Sequence, residues 1–245
     1  MLTHGSLFAG IGGFDLGFER AGIETVWQIE MDTFCREVLA KHWLGAKRYG
    51  DIRNVRAEEL EPVDVISSGF PCQPVSIAGD RRAQHDERWL WPQALRIIRC
   101  LGPRWVVVEN VIGLLSANDG RAMGEILRDL ASIGYDAEWE SLPAAAFGAP
   151  HLRFRVFIVA YPNRSGDQGQ GQGQEPIFRP FPLRTFAPEA WGDVSQWEAW
   201  LHQPDVHRVP YGFPHVVDRV RALGNAVTVT VAEWIGRRLV NANLR

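Results

Sequence analysis

A cysteine, an acid and two arginines in this sequence carry side chains that together could perform covalent catalysis. Cys72 stands in SSGFPCQPVS, directly after the apolar run VDVISS, and Glu109 lies near the end of RWVVVEN. Arg153 and Arg155 are two residues apart at the start of RVFIVA, so they point to the same side of a strand. A thiol needs an activating partner, such as an acid that protonates the electrophile. The valines before Glu109 predict a raised pKa and a role as proton donor.

A glycine cluster and two acids are candidates for binding a nucleotide-like cofactor. FAGIGGF (residues 8–14) contains glycines that let a strand–helix turn approach a ligand closely. Glu30 ends the apolar run TVWQIE, where a carboxylate can accept hydrogen bonds from a ribose diol. Asp51, in GDI, could face an adenine amino group. These features alone do not distinguish a nicotinamide cofactor from S-adenosylmethionine (SAM), and each one singly also fits a plain turn or a surface acid.

Short apolar runs alternate with segments of helical period over the first 160 residues, which is typical of an α/β sheet with helices on both faces. Strands are predicted at SLFAG, TVWQIE, VDVISS, RWVVVEN and RVFIVA. Helices are predicted from Phe14 to about Ala21, from Asp32 to His42, from Trp89 to Cys100, across residues 123–133, and from Thr230 to Val240. Ligands of such sheets bind past the carboxyl ends of the strands, where Cys72 and Glu109 stand.

The composition of the chain changes after Tyr161. The stretch NRSGDQGQGQGQEP is of low complexity, and a region rich in proline and tryptophan follows it. The sequence therefore predicts a catalytic domain formed by residues 1–160 and 213–245. Residues 161–212 are predicted to form a small, irregular recognition region, with a flexible Gly/Gln-rich segment at 165–175.

The bulk composition is that of an ordinary globular protein. Of the 245 residues 46% are hydrophobic and 22% are charged, and the net charge of −3 does not by itself indicate a nucleic-acid partner. No apolar run approaches the about 18–20 residues of a membrane span, and the first residues do not resemble a secretory signal. The three cysteines, at 35, 72 and 100, lack paired spacing, so we expect neither disulfides nor a metal site. The expected location is a reducing cytoplasm.

Taken together and in this order, the motifs resemble the DNA (cytosine-5)-methyltransferase family. The resemblance covers most of the chain and rests on FAGIGGF, IEMD, GDI, GFPCQPVSIAG, VVVENV, PHLRFRVFIVA and LGNAV. It implies a Rossmann-like SAM-dependent methyltransferase sheet with helices on both faces, followed by a small irregular target-recognition module.

The resemblance also implies a reaction and a role for each catalytic candidate. A methyl group would pass from SAM to C5 of a flipped-out cytosine in duplex DNA, leaving S-adenosyl-L-homocysteine. Cys72 would add to C6 of the ring, and Glu109 would hold the exocyclic amine and supply a proton at N3. Arg153 and Arg155 would orient the base and its sugar-phosphate. The base must leave the duplex for this attack, at a cost of a few kcal/mol.

Further residues and partners follow from the same resemblance. Expected at the SAM site are Phe8, Gly10, Ile11, Gly12, Glu30, Met31, Asp51, Ile52, Phe70, Pro71, Asn225 and Val227. Expected to contact DNA are Gln73, Ser76, Arg81, Arg82 and Arg88, in a loop that closes over the DNA. The implied partner is double-stranded DNA, and the resemblance allows a cognate restriction endonuclease. A monomer in the cytoplasm of a bacterial or phage-infected cell is favoured, with no membrane contact.

Three departures from the family pattern keep alternatives open. His151 stands where the family usually has Gln, RVPYGFPHVVDRVRA replaces the segment that normally precedes the last motif, and the recognition region is short. An RNA methyltransferase on the same scaffold is one alternative, although the CFT-type motif of the tRNA-acting branch is not found. A catalytically weak DNA-binding protein is another, against which the intact set of Cys72, Glu109 and two arginines argues.

Overall fold

A seven-stranded mixed sheet forms the centre of the molecule. The computed structural model describes residues 1–71, 89–149, 151–163, 177–178 and 222–243. The strands are β1 (Leu2–Leu7), β2 (Ile23–Ile29), β3 (Lys47–Tyr49), β4 (Val65–Ser68), β5 (Trp105–Val111), β6 (Tyr135–Pro143) and β7 (Phe154–Pro162). Their order in the sheet is β3-β2-β1-β4-β5-β7-β6. Strands β1 to β5 pair in parallel, whereas β7 is antiparallel to both β5 and β6.

Helices cover both faces of this sheet, as the sequence predicts. They are α1 (Gly13–Arg20), α2 (Thr33–His42), α3 (Trp91–Leu101), α4 (Arg121–Ser132) and α5 (Val229–Asn243). One core packs α3 and α4 against the sheet, and the other packs α1 and α5 against the opposite face. Successive strand residues alternate between the two cores: Val106 and Val108 belong to the first and Val107 to the second. Burial on both faces explains the continuous valine run of β5.

Close packing through glycine brings the C-terminal segment to the glycine loop. A Cβ on Gly17 would lie 2.5 Å from the Cβ of Ala232 and 2.7 Å from the carbonyl oxygen of Val229. A Cβ on Gly13 would lie 2.6 Å from the carbonyl oxygen of Val227. Because backbone atoms fill that space, these positions accept glycine alone without a shift. The contact holds the residues just before α5 against the start of α1, next to the carboxyl end of β1.

The observed elements differ from the predicted ones in three places. Strand β1 begins at Leu2 rather than at Ser6, since its polar residue His4 is fully buried and belongs to the strand. The strand ends at Leu7 because the backbone takes a positive φ at Phe8. Strands β3 and β6 are not predicted from the sequence. The predicted helices are present, with ends that differ by at most three residues.

The predicted recognition region lies almost wholly outside the described residues. Only residues 161–163 and 177–178 of the region 161–212 are described, and the segment at 165–175 is not among them. The proposed domain division therefore stays a prediction. Within the described chain, none of the helices combines the length and the apolar character that a membrane crossing requires.

Candidate active site

A cavity of about 690 Å³ opens at the carboxyl ends of the parallel strands, the edge at which α/β sheets bind ligands. The predicted site residues in its lining are Phe8, Gly10, Glu30, Met31, Asp51, Ile52, Phe70, Pro71, Glu109, Arg153, Arg155 and Asn225. Among the described residues, Ile11, Gly12 and Val227 are not part of the lining. Gly12 and Val227 have packing contacts instead, the first with Trp43 and the second with Gly13.

The loop after β1 forms the wall of the cavity at its glycine-rich end. Phe8 and Gly10 both have φ of 56°, in the left-handed region. For Phe8 this conformation costs of order 1–3 kcal/mol, and such strain is concentrated at binding and active sites. A Cβ on Gly10 would meet nothing within 4 Å, so this glycine leaves open space on the cavity side. The geometry suits the close approach of a ligand to the backbone.

Glu30 is a fixed carboxylate beside this loop. Its Oε2 accepts a hydrogen bond from the backbone N–H of Gly10 at 2.8 Å, and its Oε1 accepts one from Asp32 N–H at 2.8 Å. Asp32 in turn caps the start of α2 by accepting from Cys35 N–H. Glu30 thus ties the end of β2 to the glycine loop. Each of its oxygens keeps a further acceptor position for a ligand hydroxyl.

Asp51 is held as an ionised acceptor on another wall. Its carboxylate caps the short 3₁₀ helix Ile52–Asn54 by accepting from the backbone N–H of Arg53, and it also accepts from the Arg53 side chain. The hydrogen bond from Arg53 lowers the pKa of Asp51. Asp51 can therefore accept a hydrogen bond from an amino group at neutral pH.

Glu109 is the most strongly perturbed acid in the cavity wall. It lies near the carboxyl end of β5 and is only 8% exposed, while Arg155 Nε lies 3.0 Å from its Oε1. Burial raises the pKa of Glu109 to about 6, although Arg155 and Arg153 both lower it. This is the direction that the valine run predicts. A carboxyl with such a pKa can hold a proton and release it near neutral pH.

Asn110 connects the Glu109 strand to the segment that leads to Cys72. Its Nδ2 donates to the carbonyl oxygen of Phe70 at 3.3 Å, and its Oδ1 accepts from Val111 N–H at 2.9 Å. A Cβ on Gly69 would lie 3.8 Å from Glu109 Oε2. The chain therefore passes beside the acid immediately before Cys72. Cys72 itself and the predicted DNA contacts lie outside the described residues, the latter being Gln73, Ser76, Arg81, Arg82 and Arg88.

Arg153, the other arginine of the pair, is bound to the C-terminal segment. Its Nη1 donates to the carbonyl oxygen of Gly224 at 2.7 Å. The next residue, Asn225, lies in the cavity wall, so this hydrogen bond fixes the segment 222–225 against the start of β7. His151 is exposed just before the arginines.

Several lining residues are not assigned by the sequence analysis. They are Ile29, Asp32, Cys35, Gly50, Arg53, Gly69, Leu90, Asn110, Val111 and Ala222. Most are sequence neighbours of assigned residues, and that adjacency is the signal that could have found them. Cys35 is buried, and it also borders the cavity. Within the described chain no group of three His, Cys, Asp or Glu side chains is placed to hold a metal ion.

The comparison with known proteins identifies the family of this chain. Residues 2–185 match the family described as C-5 cytosine-specific DNA methylase. The chain belongs to this family. It is 38% identical over 167 residues to the type II methyltransferase M.Bsp6I of Bacillus sp. (strain RFL6), covering 66% of this chain and 53% of that protein. It is 33% identical over 181 residues to M.HhaI of Haemophilus parahaemolyticus, covering 74% and 54%.

The chain of this family member spans about half the length of the curated relatives it matches. Among solved structures, it is similar to a DNMT2 variant from Spodoptera frugiperda with a TM-score of 0.56 and 19% identity. That likeness covers 70% of this chain and 53% of the other, and it supports the Rossmann-like methyltransferase fold.

The cavity fits the cofactor that the methylase family implies. Its volume of about 690 Å³ lies in the range of small-molecule sites, about 300–1,000 Å³. Glu30 offers fixed acceptor oxygens, Asp51 is ionised, and the open space at Gly10 lets a ligand reach the loop. The cavity therefore has two chemically distinct halves. The hydrogen-bond acceptors Glu30 and Asp51 line the cofactor half, and the protonatable Glu109 lines the other.

Proposed function

We propose that the protein is a DNA cytosine-5 methyltransferase, which uses SAM to methylate C5 of a cytosine flipped out of duplex DNA. The observation that carries this proposal is the placement of Glu109. This buried, protonatable acid lies beside the segment that leads to Cys72, and it contacts Arg155. It borders the same cavity as the glycine loop and Glu30. Membership of the methylase family supports the same reaction.

The cofactor half of the cavity is proposed to hold SAM through Phe8, Gly10, Glu30, Met31, Asp51 and Ile52. Glu30 would accept from the ribose hydroxyls and Asp51 from the adenine amino group. When bound there, SAM supplies an electrophilic methyl group on its sulfonium sulfur. Phe70, Pro71 and Asn225, which border the same cavity, would close it towards Glu109.

The protein residues are proposed to make C5 nucleophilic. The Cys72 thiolate forms a bond to C6, and Glu109 donates its proton to N3, so that the electron pair displaced from the C5–C6 double bond does not remain as a ring anion. C5 then takes the methyl group, and S-adenosyl-L-homocysteine is left. A water molecule accepts the C5 proton, the C5–C6 double bond re-forms as the Cys72–C6 bond breaks, and the N3 proton returns to Glu109. The products are 5-methylcytosine, S-adenosyl-L-homocysteine, a released proton and a free thiolate.

The arginines would tune and orient this acid. Arg155 contacts Glu109 Oε1 directly, so it fixes the carboxyl group and keeps its pKa from rising further. Arg153 is tied to Gly224, which places its charge at the mouth between β7 and the C-terminal segment. Both guanidinium groups could then bind the sugar-phosphate of the target nucleotide, because arginine suits phosphate geometry.

Duplex DNA is the proposed partner, with the target base flipped out at a cost of a few kcal/mol. We assign reading of the DNA sequence to residues 161–212 and contacts behind the base to Gln73, Ser76, Arg81, Arg82 and Arg88, as the resemblance implies. The protein would act as a monomer in the cytoplasm of a bacterial or phage-infected cell. The type II relatives make a cognate restriction endonuclease a reasonable further partner.

Incubation with tritium-methyl SAM tests the proposal. Label should enter duplex DNA and not tRNA, and Cys72→Ser should reduce turnover by more than about 10³-fold while SAM binding stays within about twofold. Absence of transfer to any DNA would overturn the proposed function. Transfer to tRNA alone would support the RNA-modifying alternative.

A further inference from the structure

The path of the chain after β7 raises a positioning problem. Strand β7 starts at the cavity edge, where Arg155 lies opposite Val111, and it runs antiparallel to β5 towards the far edge of the sheet. At that far edge the backbone N–H of Asn163 donates to Gly134 O at 2.8 Å. The chain must then return to the cavity edge, because Asn225 lies in the cavity wall. Something has to fix this return path relative to the active site.

Two described residues of the return path are held by strand β6. Glu138 lies midway along β6, opposite Val159 of β7. Its Oε1 accepts from the backbone N–H of Ile177 at 2.8 Å, and its Oε2 accepts from the N–H of Phe178 at 3.0 Å. One carboxylate thus binds two successive amides through charge-assisted hydrogen bonds, which are stronger than neutral ones. Ile177 is only 3% exposed.

Helix α5 holds the same two residues from the other side. Arg238 Nη1 donates to the carbonyl oxygen of Ile177 at 3.0 Å, and its guanidinium lies 4.1 Å from the centre of the Trp234 ring. The Phe178 ring stacks on Trp234 at a centroid distance of 6.4 Å and an interplanar angle of 27°. We call these five residues, Glu138, Ile177, Phe178, Trp234 and Arg238, the anchor.

We propose that the anchor positions the DNA-reading part of the chain, and that Glu138 is its positioning residue. This inference rests on the proposed function. A recognition segment starting at the anchor runs between two points fixed on the catalytic domain, Phe178 and the segment 222–225. Fixing both ends of the segment restricts where it can reach and raises its effective concentration at the active site.

Glu138→Gln is the main variant, and Glu140→Gln is its matched control. Glutamine can accept only one of the two amides and brings its own donor towards the other. Glu140 points to the same side of β6 two residues on, and it accepts from Ser141 N–H within its own strand. The affinity for duplex DNA, measured by fluorescence anisotropy with S-adenosyl-L-homocysteine present, should fall about tenfold in Glu138→Gln, as for loss of a hydrogen bond to a charged group.

Other readouts separate positioning from general stability. In Glu138→Gln the KM for DNA should rise while kcat and the SAM Kd stay within about twofold, and amide exchange at Ile177 and Phe178 should accelerate. Phe178→Leu should give the same pattern more weakly, and it serves if Glu138→Gln folds poorly.

Faster amide exchange with unchanged DNA affinity would overturn the anchor proposal, as would equal losses of SAM and DNA binding. Failure of the wild-type protein to label DNA would overturn the proposed function. The anchor proposal would still be tested in that case, by comparing the DNA affinities of the wild type and of Glu138→Gln. A wild-type protein that does not bind duplex DNA would overturn both.

Discussion

Two carboxyl groups of this protein, Glu109 and Asp15, reach a similar raised pKa but are differently placed. Burial raises the pKa of each to about 6. Glu109 borders the cavity and contacts Arg155. Asp15, in the first turn of α1, is fully buried and accepts hydrogen bonds from Ser6 Oγ at 3.0 Å and Gln28 Nε2 at 2.8 Å.

The difference shows that a shifted pKa does not by itself mark an active site. Asp15 belongs to a buried polar layer under α1, the sealed layer, where its hydrogen-bond donors are neutral. It is not part of the lining of the cavity described above. In the same layer His4 bonds Thr25 Oγ1 and Ser67 Oγ, and burial lowers the pKa of His4 to about 3, so its ring stays neutral. Of the three groups Glu109, Asp15 and His4, only Glu109 combines a shifted pKa with a place in the cavity wall and a neighbouring cation.

Exchanging each acid for its amide should separate the two regions most strongly. Glu109→Gln should lower kcat/KM for methyl transfer about 10²–10⁴-fold, because an amide cannot supply the proton. Asp15→Asn should change it less than about threefold. Steady-state methyl transfer measures both, with SAM affinity by calorimetry as the control. Similar losses in the two variants would refute the division between site and structural layer.

The same Asp15→Asn variant should show how much the ionisation of buried Asp15 lowers the free energy of unfolding. The folded-state pKa of Asp15, about 6, is raised above the usual 3.8, so its favourable contribution is complete below pH 3.8 and is lost as the pH rises through 6. Ionised Asp15 then costs up to about 3 kcal/mol. Asp15→Asn should therefore gain stability over the wild type as pH increases to 8, as measured by urea unfolding. A difference that is constant with pH would contradict this.

Removing the cation beside Glu109 should shift the pH profile. Activity that needs protonated Glu109 falls as the pH rises above about 6, and Arg155 lowers that pKa. Arg155→Gln should therefore move this limb of the kcat/KM profile up by about one pH unit. Arg53→Gln, which removes a cation paired with Asp51 in the same cavity, is the control and should leave the limb in place. Movement of the limb to lower pH would show that Arg155 does not act on Glu109.

The smallest effect is expected for Ser67→Ala in the sealed layer. It leaves His4 Nε2 without its 2.8 Å partner in a fully buried site, which costs about 1–3 kcal/mol of unfolding free energy. Activity should not change, because no atom of this layer borders the cavity. Thermal unfolding and methyl transfer, measured side by side, check the two halves of this expectation. A loss of activity without a loss of stability would connect the layer to the site.

The sequence predicts much of the cavity side of this comparison. Val106, Val107 and Val108 mark a strand buried on both faces, and that burial predicts the raised pKa of Glu109. The alternation of apolar runs predicts the sheet and its two layers of helices. The motif order brings Glu30, Asp51 and Asn225 to one cavity although they are far apart in the chain.

The sealed layer and the edge strands were beyond sequence reasoning for a physical reason. His4, Ser6 and Asp15 are polar, and their burial depends on hydrogen bonds across four elements. His4 pairs with Thr25 and Ser67, whereas Asp15 accepts from Ser6 and Gln28. Because these partners cannot be read from the sequence, the predicted start of β1 is too late. Strand β6 carries acids, among them Glu138, that suit an exposed edge. Nothing in the sequence shows that Glu138 binds two backbone amides, because its partners lie about forty residues away.

Identification of the modified nucleoside tests the central claim most directly. Duplex DNA treated with the wild-type protein and SAM would be digested to nucleosides and analysed by mass spectrometry against methylated standards, with Glu109→Gln in parallel. The account predicts 5-methyldeoxycytidine as the product, formed by the wild type and reduced at least about 10²-fold in Glu109→Gln. Methylation at the cytosine N4 or adenine N6 position, or undiminished C5 methylation by Glu109→Gln, would contradict it.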